Sequence, residues 1–244
     1  SGLQFRRLNM RKGPAVRATR VQVDMEEYSR LAGEALRGIP GLDICEDEVL
    51  EVLVRGSTVC GVRLARRGVL PCRAVVLTTG TFLSGRVFIG EESWDAGRMD
   101  EPHSTGLSGN LGDLGFSLVR LKTGTPARLH RDSVEPAQME RQDGDVPPPF
   151  FHWGTKTTTL PQVPCWITST TQETHDVIRS GLDRSPLYTG KVSGVGPRYC
   201  PSIEDKVVRF PDRDRHQIFL EPTGLHSEQV YPAGISSSLP RDVQ

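Results

Sequence analysis

Residues 73–78, with the sequence RAVVLT, constrain the fold of this chain more than any other segment. Apolar residues follow one another without alternation from Ala74 to Leu77 and run into the small residues Thr79, Gly80 and Thr81. A run of this length and composition is typical of a strand buried on both faces of a parallel sheet. In such sheets the glycine turn after the strand faces a ligand. The segment therefore predicts a parallel sheet with a ligand site at the end of this strand.

The preceding residues supply the other elements of such a domain. Residues 21–36 carry apolar side chains at helical spacing and are followed by Gly38 and Pro40, which end helices. Residues 42–46, 49–55 and 58–64 have the composition of short strands, and the dipeptide between the last two is a hairpin signal. This order of helix, strands and buried strand predicts the α/β class.

The second half of the chain has a different character. We predict a short helix at residues 107–114, a strand at 120–123 that runs into a tight loop, an irregular proline-rich stretch at 131–165, and a helix at 172–179. The change places a domain boundary near residue 126. The predicted domains are therefore residues 1–125 and 126–244.

Composition limits the class of protein. Thirty basic and thirty acidic residues balance, so any RNA site must be a local patch. The five cysteines have no CxxC or Cys/His ligand spacing, which argues against a disulfide framework or a zinc site and favours a reducing compartment. No signal peptide or membrane-length apolar run is visible. The chain begins at Ser1 without an initiator Met, and we expect it to be an internal part of a longer protein.

Cys200 is the strongest candidate for chemistry. Pro201 favours a first helical turn, and Ser202 has capping-box-like spacing to Asp205, so Cys200 is expected just before a helix N-terminus. The helix dipole and nearby Arg198 and Lys206 would stabilise a thiolate there. An inert, packed cysteine remains the alternative on local spacing alone.

Two further segments carry positive charge. Lys122 lies in the sequence KTGTP, which suits an anionic ligand such as a phosphate or carboxylate, or else forms an ordinary turn at a strand end. Lys12, Arg17 and Arg20 form a small basic cluster that suits RNA phosphates, although such a run is more often a solvated face.

Taken together, the motifs resemble the glucose-inhibited division protein A family, also called MnmG or GidA. The resemblance covers the chain from end to end and keeps the family's order of motifs. The segments that carry it are residues 12–20 (KGPAVRATR), 75–83 (VVLTTGTFL), 120–126 (RLKTGTP), 182–186 (LDRSP), 196–206 (GPRYCPSIEDK) and 219–222 (FLEP).

The resemblance implies a fold and an activity. The fold would be part of a Rossmann-like FAD-binding domain of glutathione-reductase type, residues 1–125, with an inserted α/β domain that binds NAD, residues 126–244. The activity would be modification of C5 of the tRNA wobble uridine, with a carboxymethylaminomethyl or aminomethyl group, a one-carbon unit from methylenetetrahydrofolate, and NADH as reductant of the FAD. A GTPase partner, MnmE, a homodimer and a cytoplasmic location, or a mitochondrial one, are further implications.

The same resemblance assigns site residues. Cys200 matches a family cysteine proposed for catalysis, where a thiolate adding to C6 of uracil would make C5 nucleophilic, although another role for it stays open. Val49 and Ser104 correspond to FAD contacts. The stretch that corresponds to the NAD site consists of Gly196, Pro197, Arg198, Tyr199, Pro201, Ser202, Ile203, Glu204, Asp205, Lys206, Val207, Val208, Arg209 and Phe210. Lys122 and Arg198 are additional anion-binding candidates from their chemistry.

One departure from the family pattern limits what this chain can do alone. The glycine-rich GxGxxG motif that opens a dinucleotide site is absent. We therefore expect the chain alone to bind FAD weakly or not at all. Three alternatives stay open: a flavin- and folate-dependent tRNA uridine methyltransferase, a generic NAD-linked flavoprotein reductase without RNA, and a folded scaffold with no activity of its own.

Overall fold

The computed structural model describes residues 1–192 and 201–244 and is a mixed α and β structure, as predicted. The chain forms two compact units, each assembled from three segments. Of the described residues, the first unit contains 1–43, 124–179 and 201–237, and the second contains 44–123, 180–192 and 238–244. The chain passes from the second unit to the first between Thr123 and Gly124, close to the predicted domain boundary. Residues 1–43, however, belong to the same unit as the later segments and not to that of residues 44–123.

A five-stranded antiparallel sheet forms the centre of the first unit. Its spatial order is β8-β12-β11-β10-β9, with Ile218, Leu220 and Val230 in its core. The strands are β8 (Leu129–His130), β9 (Glu140–Gln142), β10 (Cys165–Ser169), β11 (Gln217–Pro222) and β12 (Gln229–Ala233).

A hairpin at the start of the chain packs on this sheet. Its strands are β1 (Gly2–Leu8) and β2 (Ala18–Val23), and Phe5 pairs with Val21. The Gln4 amide donates to the Gln142 carbonyl at 2.8 Å, which fixes one face of the hairpin on β9. Three helices complete the unit: α1 (Met25–Arg37), α3 (Gln172–Ser180, which ends at its border) and α4 (Ile203–Arg209).

The second unit is built around a small three-stranded sheet and one helix. Its strands are β3 (Val49–Arg55), β4 (Thr58–Leu64) and β5 (Gly68–Pro71), and α2 (Gly106–Asp113) packs on β3 through Val52, Leu107 and Leu111. The Val52 amide also donates to the Asn110 side chain at 2.8 Å. A hairpin of β6 (Arg86–Ile89) and β7 (Glu92–Asp95) accompanies them.

The predictions for β3, β4, α2 and α3 are confirmed, to within one residue at each end. Gly56 at the β3–β4 turn has a φ of 62°, which glycine adopts without strain. Residues 21–36 are only partly helical, because Val21 pairs with β1 and the Asp24 carboxylate caps α1 by accepting the Glu27 amide at 3.1 Å.

Three predicted strands are wrong in the part of the chain that the structure describes. Residues 42–46, 73–78 and 120–123 lie outside all named strands. The side chain of Val76 is 85% exposed and that of Leu121 is 74% exposed, so neither run has a sheet around it. All pairings between the named strands are antiparallel, and the predicted parallel sheet is not found among the described residues. A strand buried on both faces requires neighbours on both edges, and these runs have none there.

No helix in the described ranges has the length and the apolar composition required to cross a membrane.

Candidate functional site

Helix α4 supplies one wall of the candidate site. Ser202 caps the helix by accepting the Asp205 amide at 3.4 Å, as its spacing predicted, and Pro201 precedes the cap and lies outside the first turn. The Ile203 amide donates to the Ser236 carbonyl at 2.7 Å, and Ile203 and Val207 are buried. The N-terminus of α4 is therefore held in place at Ser202 and Ile203, two and three positions after Cys200 in the sequence.

An open pocket of about 600 Å³ lies between α4, β2 and the end of β11, entirely within the first unit. Its volume falls in the range typical of sites for cofactor-sized ligands. The residues that line it are Arg20, Pro201, Lys206, Phe210, Arg213, Arg215, His216, Gln217, Phe219, Glu221, Ala233 and Gly234.

The pocket carries an excess of positive charge. Its four cations face one carboxylate, Glu221, which is paired with Arg20. The Lys206 ammonium donates to the Gly234 carbonyl at 2.7 Å. Arg213 and Arg215 are exposed, and neither takes part in an ion pair within residues 1–192 and 201–244. The pocket therefore suits an anionic ligand, and Phe210 and Phe219 add ring surface for a planar group.

The pocket also contains a histidine, His216. Its Nε2 atom is buried and has no hydrogen-bond partner among the described residues, while its backbone amide donates to the Thr170 hydroxyl at 2.8 Å. The ring of His175 lies 5.3 Å away, centroid to centroid. Burial lowers the pKa of His216, and the charges of His175, Lys206 and Arg213 lower it further. The neutral form of the His216 imidazole is therefore favoured in the wall of the pocket.

The structure brings some of the predicted NAD residues to this pocket. Pro201, Lys206 and Phe210 line it. Ser202, Ile203, Glu204 and Val207 are instead buried, whereas Val208 and Arg209 are exposed without lining the pocket and Asp205 is half-buried. The other members of the predicted set lie outside the described residues: Gly196, Pro197, Arg198, Tyr199 and the catalytic candidate Cys200.

The predicted FAD contacts lie together in the second unit. Val49 begins β3 and packs against the core of Val52, Leu107 and Leu111. Ser104 precedes α2, and its amide and carbonyl bond to Phe82 and Ser84 at 2.8 and 2.9 Å. The Ser104 side chain is partly buried, and no hydrogen bond of its hydroxyl is found within the described residues.

The cationic candidates are divided between the units. Lys122 belongs to the second unit. Arg20 lines the pocket of the first unit, while Lys12 and Arg17 are exposed in the loop of the β1–β2 hairpin. The sequence did not identify His216, Phe219 or Glu221 as pocket residues. The available signal was Glu221 itself, a carboxylate within the apolar strand IFLEP.

Comparison with known proteins identifies relatives along the whole chain. A family model described as "Glucose inhibited division protein A" matches residues 1–244. Proteins named "tRNA uridine 5-carboxymethylaminomethyl modification enzyme MnmG" from Syntrophotalea carbinolica and Geobacter sulfurreducens are 51% and 49% identical over all of this chain. The chain spans 39% of the length of these relatives.

A solved structure agrees with the sequence relatives. The structure of Aquifex aeolicus GidA in its form I crystal matches all of this chain and 42% of its own, with 45% identity and a TM-score of 0.90. The form II crystal gives 42% identity and a TM-score of 0.88. The chain therefore belongs to the glucose inhibited division protein A family.

Proposed function

We propose that this chain is part of an enzyme that modifies C5 of the tRNA wobble uridine with a carboxymethylaminomethyl- or aminomethyl-type group. The names of the relatives support a reaction on tRNA uridine. The observation that carries the proposal is the cationic, ring-lined pocket that begins at Pro201, the residue after Cys200.

The pocket fits the predicted nicotinamide dinucleotide. A pyrophosphate requires cations or backbone amides, and Arg213 and Arg215 provide cations at the rim. Phe210 and Phe219 provide ring surface for an aromatic base. In this proposal the residues 201–210 bind and orient NADH, which supplies hydride for the reduction of the flavin.

The second unit supplies part of the flavin site. Val49 and Ser104 would contact the FAD, with the Ser104 hydroxyl as the hydrogen-bonding group. The glycine-rich motif that would cradle the FAD phosphates is not in this sequence. A Rossmann-like flavin domain, methylenetetrahydrofolate, the GTPase partner MnmE and a cytoplasmic homodimer complete the proposal for the whole protein, on the strength of the resemblance.

The decisive experiment uses the full-length protein that contains this chain. The wild type and Cys200→Ala are incubated with FAD, NADH, methylenetetrahydrofolate, MnmE, GTP, glycine or ammonium, and unmodified tRNA, and the wobble nucleoside is identified by mass spectrometry. We expect a modified uridine with the wild type and none with Cys200→Ala. Cys60→Ala is the matched control, because Cys60 is an exposed cysteine on β4 of the second unit.

Each other outcome has a definite meaning. Modification that survives in Cys200→Ala leaves the activity established and assigns Cys200 to packing. A methylated uridine would instead indicate the related flavin- and folate-dependent methyltransferase. A wild type that oxidises NADH but leaves every tRNA unchanged would refute the proposal in favour of a flavoprotein reductase.

The pocket itself is tested by NADH dependence. Arg213→Gln with Arg215→Gln should raise the NADH concentration for half-maximal flavin reduction by about tenfold or more, which corresponds to one lost charge-assisted contact. Arg86→Gln, an exposed arginine in the second unit, should leave it unchanged. An unchanged NADH dependence in the double variant would exclude this pocket as the dinucleotide site.

A further inference from the structure

A loop in the first unit, residues 143–163, is anchored at both ends along the free edge of β1. The Asp145 amide donates to the Phe5 carbonyl at 2.8 Å, and the Arg7 amide donates to the Asp145 carboxylate at 2.7 Å. At the other end the Val163 amide donates to the Leu3 carbonyl at 2.9 Å. These bonds hold both ends of the loop on β1.

The anchored loop exposes large aromatic side chains. Phe150 packs edge-on against Phe5 with ring centroids 5.1 Å apart, but Phe151 is 71% exposed and Trp153 is 97% exposed. An exposed tryptophan gains nothing from the hydrophobic effect, and apolar patches at a surface occur where partners bind. The two rings therefore offer their faces to a partner with flat, apolar groups.

The hairpin beside these rings has a concentration of positive charge. Residues 1–23 contain six cations and no acidic residue, in a chain whose net charge is zero. Of these, Arg7, Arg11, Lys12 and Arg17 are exposed, and no ion pair within the described ranges involves them.

The geometry of β1 places one of these cations, Arg7, on the side of the strand that the loop packs against. Arg7 lies two residues after Phe5 and therefore on the same face of the strand, the face against which Phe150 packs. The nearby carboxylates are engaged locally, since Asp143 pairs with Arg141 at 2.9 Å and Asp145 accepts the Arg7 amide. A partner that fits this surface therefore combines flat faces with negative charge.

We propose that this aromatic–basic surface, made of Arg7, Arg11, Lys12, Arg17, Phe151 and Trp153, binds unpaired nucleotides of an RNA loop. Bases of the RNA stack on Phe151 and Trp153, while the four cations neutralise phosphates of the RNA backbone. Only unpaired bases offer free faces, because a duplex buries them in its own stack. The inference rests on the proposed tRNA substrate and identifies the single-stranded loop that carries the wobble position as the part bound here.

Binding of two RNAs to the full-length protein tests this. The probes are a 17-nucleotide anticodon stem-loop and a duplex of the same length with no loop. Stacking contributes about 1–3 kcal/mol per base, so Phe151→Ala with Trp153→Ala should weaken stem-loop binding at least fivefold and leave duplex binding unchanged. Trp153→Phe should restore part of the loss. Phe116→Ala, a 61% exposed ring in the second unit, is the matched control.

The cations are tested by salt dependence. The triple variant Arg11→Gln, Lys12→Gln, Arg17→Gln should bind both RNAs more weakly and should lower the slope of log affinity against log salt by roughly 2. Equal stem-loop affinity in wild type and the ring variant, with the wild type still modifying tRNA, would overturn the inference and leave the proposed function intact. Loss of association with MnmE or of dimerisation, at unchanged RNA affinity, would overturn it in favour of a protein interface. A wild type that binds neither RNA and modifies no tRNA would refute the proposed function and the inference with it.

Discussion

The guanidinium of Arg20 on β2 forms an ion pair with the carboxylate of Glu221 on β11. The two residues are 201 positions apart in the sequence, and their contact joins the N-terminal hairpin to the central sheet. The Glu221 side chain is 6% exposed and the Arg20 side chain 35%. The positive charge of Arg20 therefore compensates the negative charge of a nearly buried carboxylate at the edge of the pocket.

Arg20→Met should destabilise the protein by about 2–3 kcal/mol, because the Glu221 carboxylate stays buried without its cation. Adding Glu221→Gln to Arg20→Met should recover part of this loss. Arg30→Met is the matched control: Arg30 pairs with Glu27 and Glu34 on exposed faces of α1, and its loss should cost under about 1 kcal/mol. Urea unfolding monitored by circular dichroism measures all four proteins. Equal losses for Arg20→Met and Arg30→Met would contradict the assignment.

Two glycines of α2 should respond to alanine in opposite directions. A Cβ on Gly106 would lie 3.0 Å from the Leu50 carbonyl oxygen, whereas a Cβ on Gly109 would meet nothing within 4 Å. Alanine is favoured over glycine in helices by up to about 1 kcal/mol. Gly109→Ala should therefore raise the melting temperature, and Gly106→Ala should lower it by forcing α2 away from β3. A shift of the same sign in both variants would show that α2 does not pack closely on β3.

Local patterns in the sequence predicted those elements whose partners are close in the chain. The strand-like composition of β3 and β4 and the Gly56 turn between them determine a hairpin, and the Ser202 spacing determines the cap of α4. The β1–β2 hairpin was missed, because its cations interrupt the apolar alternation that identifies strands.

Residues 73–78 and 120–123 show where prediction from local composition fails. Their composition favours a strand, but a strand exists only beside a partner, and sequence composition carries no information about whether one is present. The same holds for the pocket. Arg20, Lys206 and Glu221 meet through the fold of the whole first unit, so the sequence predicted Lys206 from a motif but assigned Arg20 to a separate cluster.

Cys165 should be the least reactive of the described cysteines. It is 1% exposed on β10, and its thiol lies 3.6 Å from the Gln4 side-chain oxygen. Burial, together with the charge of Glu221, raises the pKa of the Cys165 thiol to about 11. At pH 8 about one thiol in a thousand would be ionised.

The reactivity of each cysteine is measured by mass spectrometry after brief treatment of the native protein with iodoacetamide. Cys45 and Cys60, which are exposed, should be labelled within minutes, and Cys165 only after unfolding in urea. Labelling of Cys165 at the rate of Cys60 would mean that the packing of β1 on β10 opens readily.

His216 should make the protein less stable in mild acid. Its pKa in the folded state lies below the ordinary value of 6.5, because of burial and the charges of His175, Lys206 and Arg213. As the pH falls through 6.5, the unfolded chain takes up a proton at this position before the folded protein does, so the free energy of unfolding decreases. Above that pH the imidazole is neutral in both states and contributes nothing.

Urea unfolding at pH 7.5 and at pH 5.5 measures the effect. His216→Gln has no proton to take up and should lose less stability between the two pH values than the wild type. Arg213→Gln removes one of the repelling charges, and its loss of stability should lie between those of the wild type and His216→Gln.

The protonated imidazole also adds a cation to the pocket, so inorganic pyrophosphate should bind the wild type more tightly as the pH falls, and His216→Gln should lose that pH dependence. If the free energy of unfolding fell equally between pH 7.5 and pH 5.5 in the wild type and in His216→Gln, water would have to reach the Nε2 atom of His216.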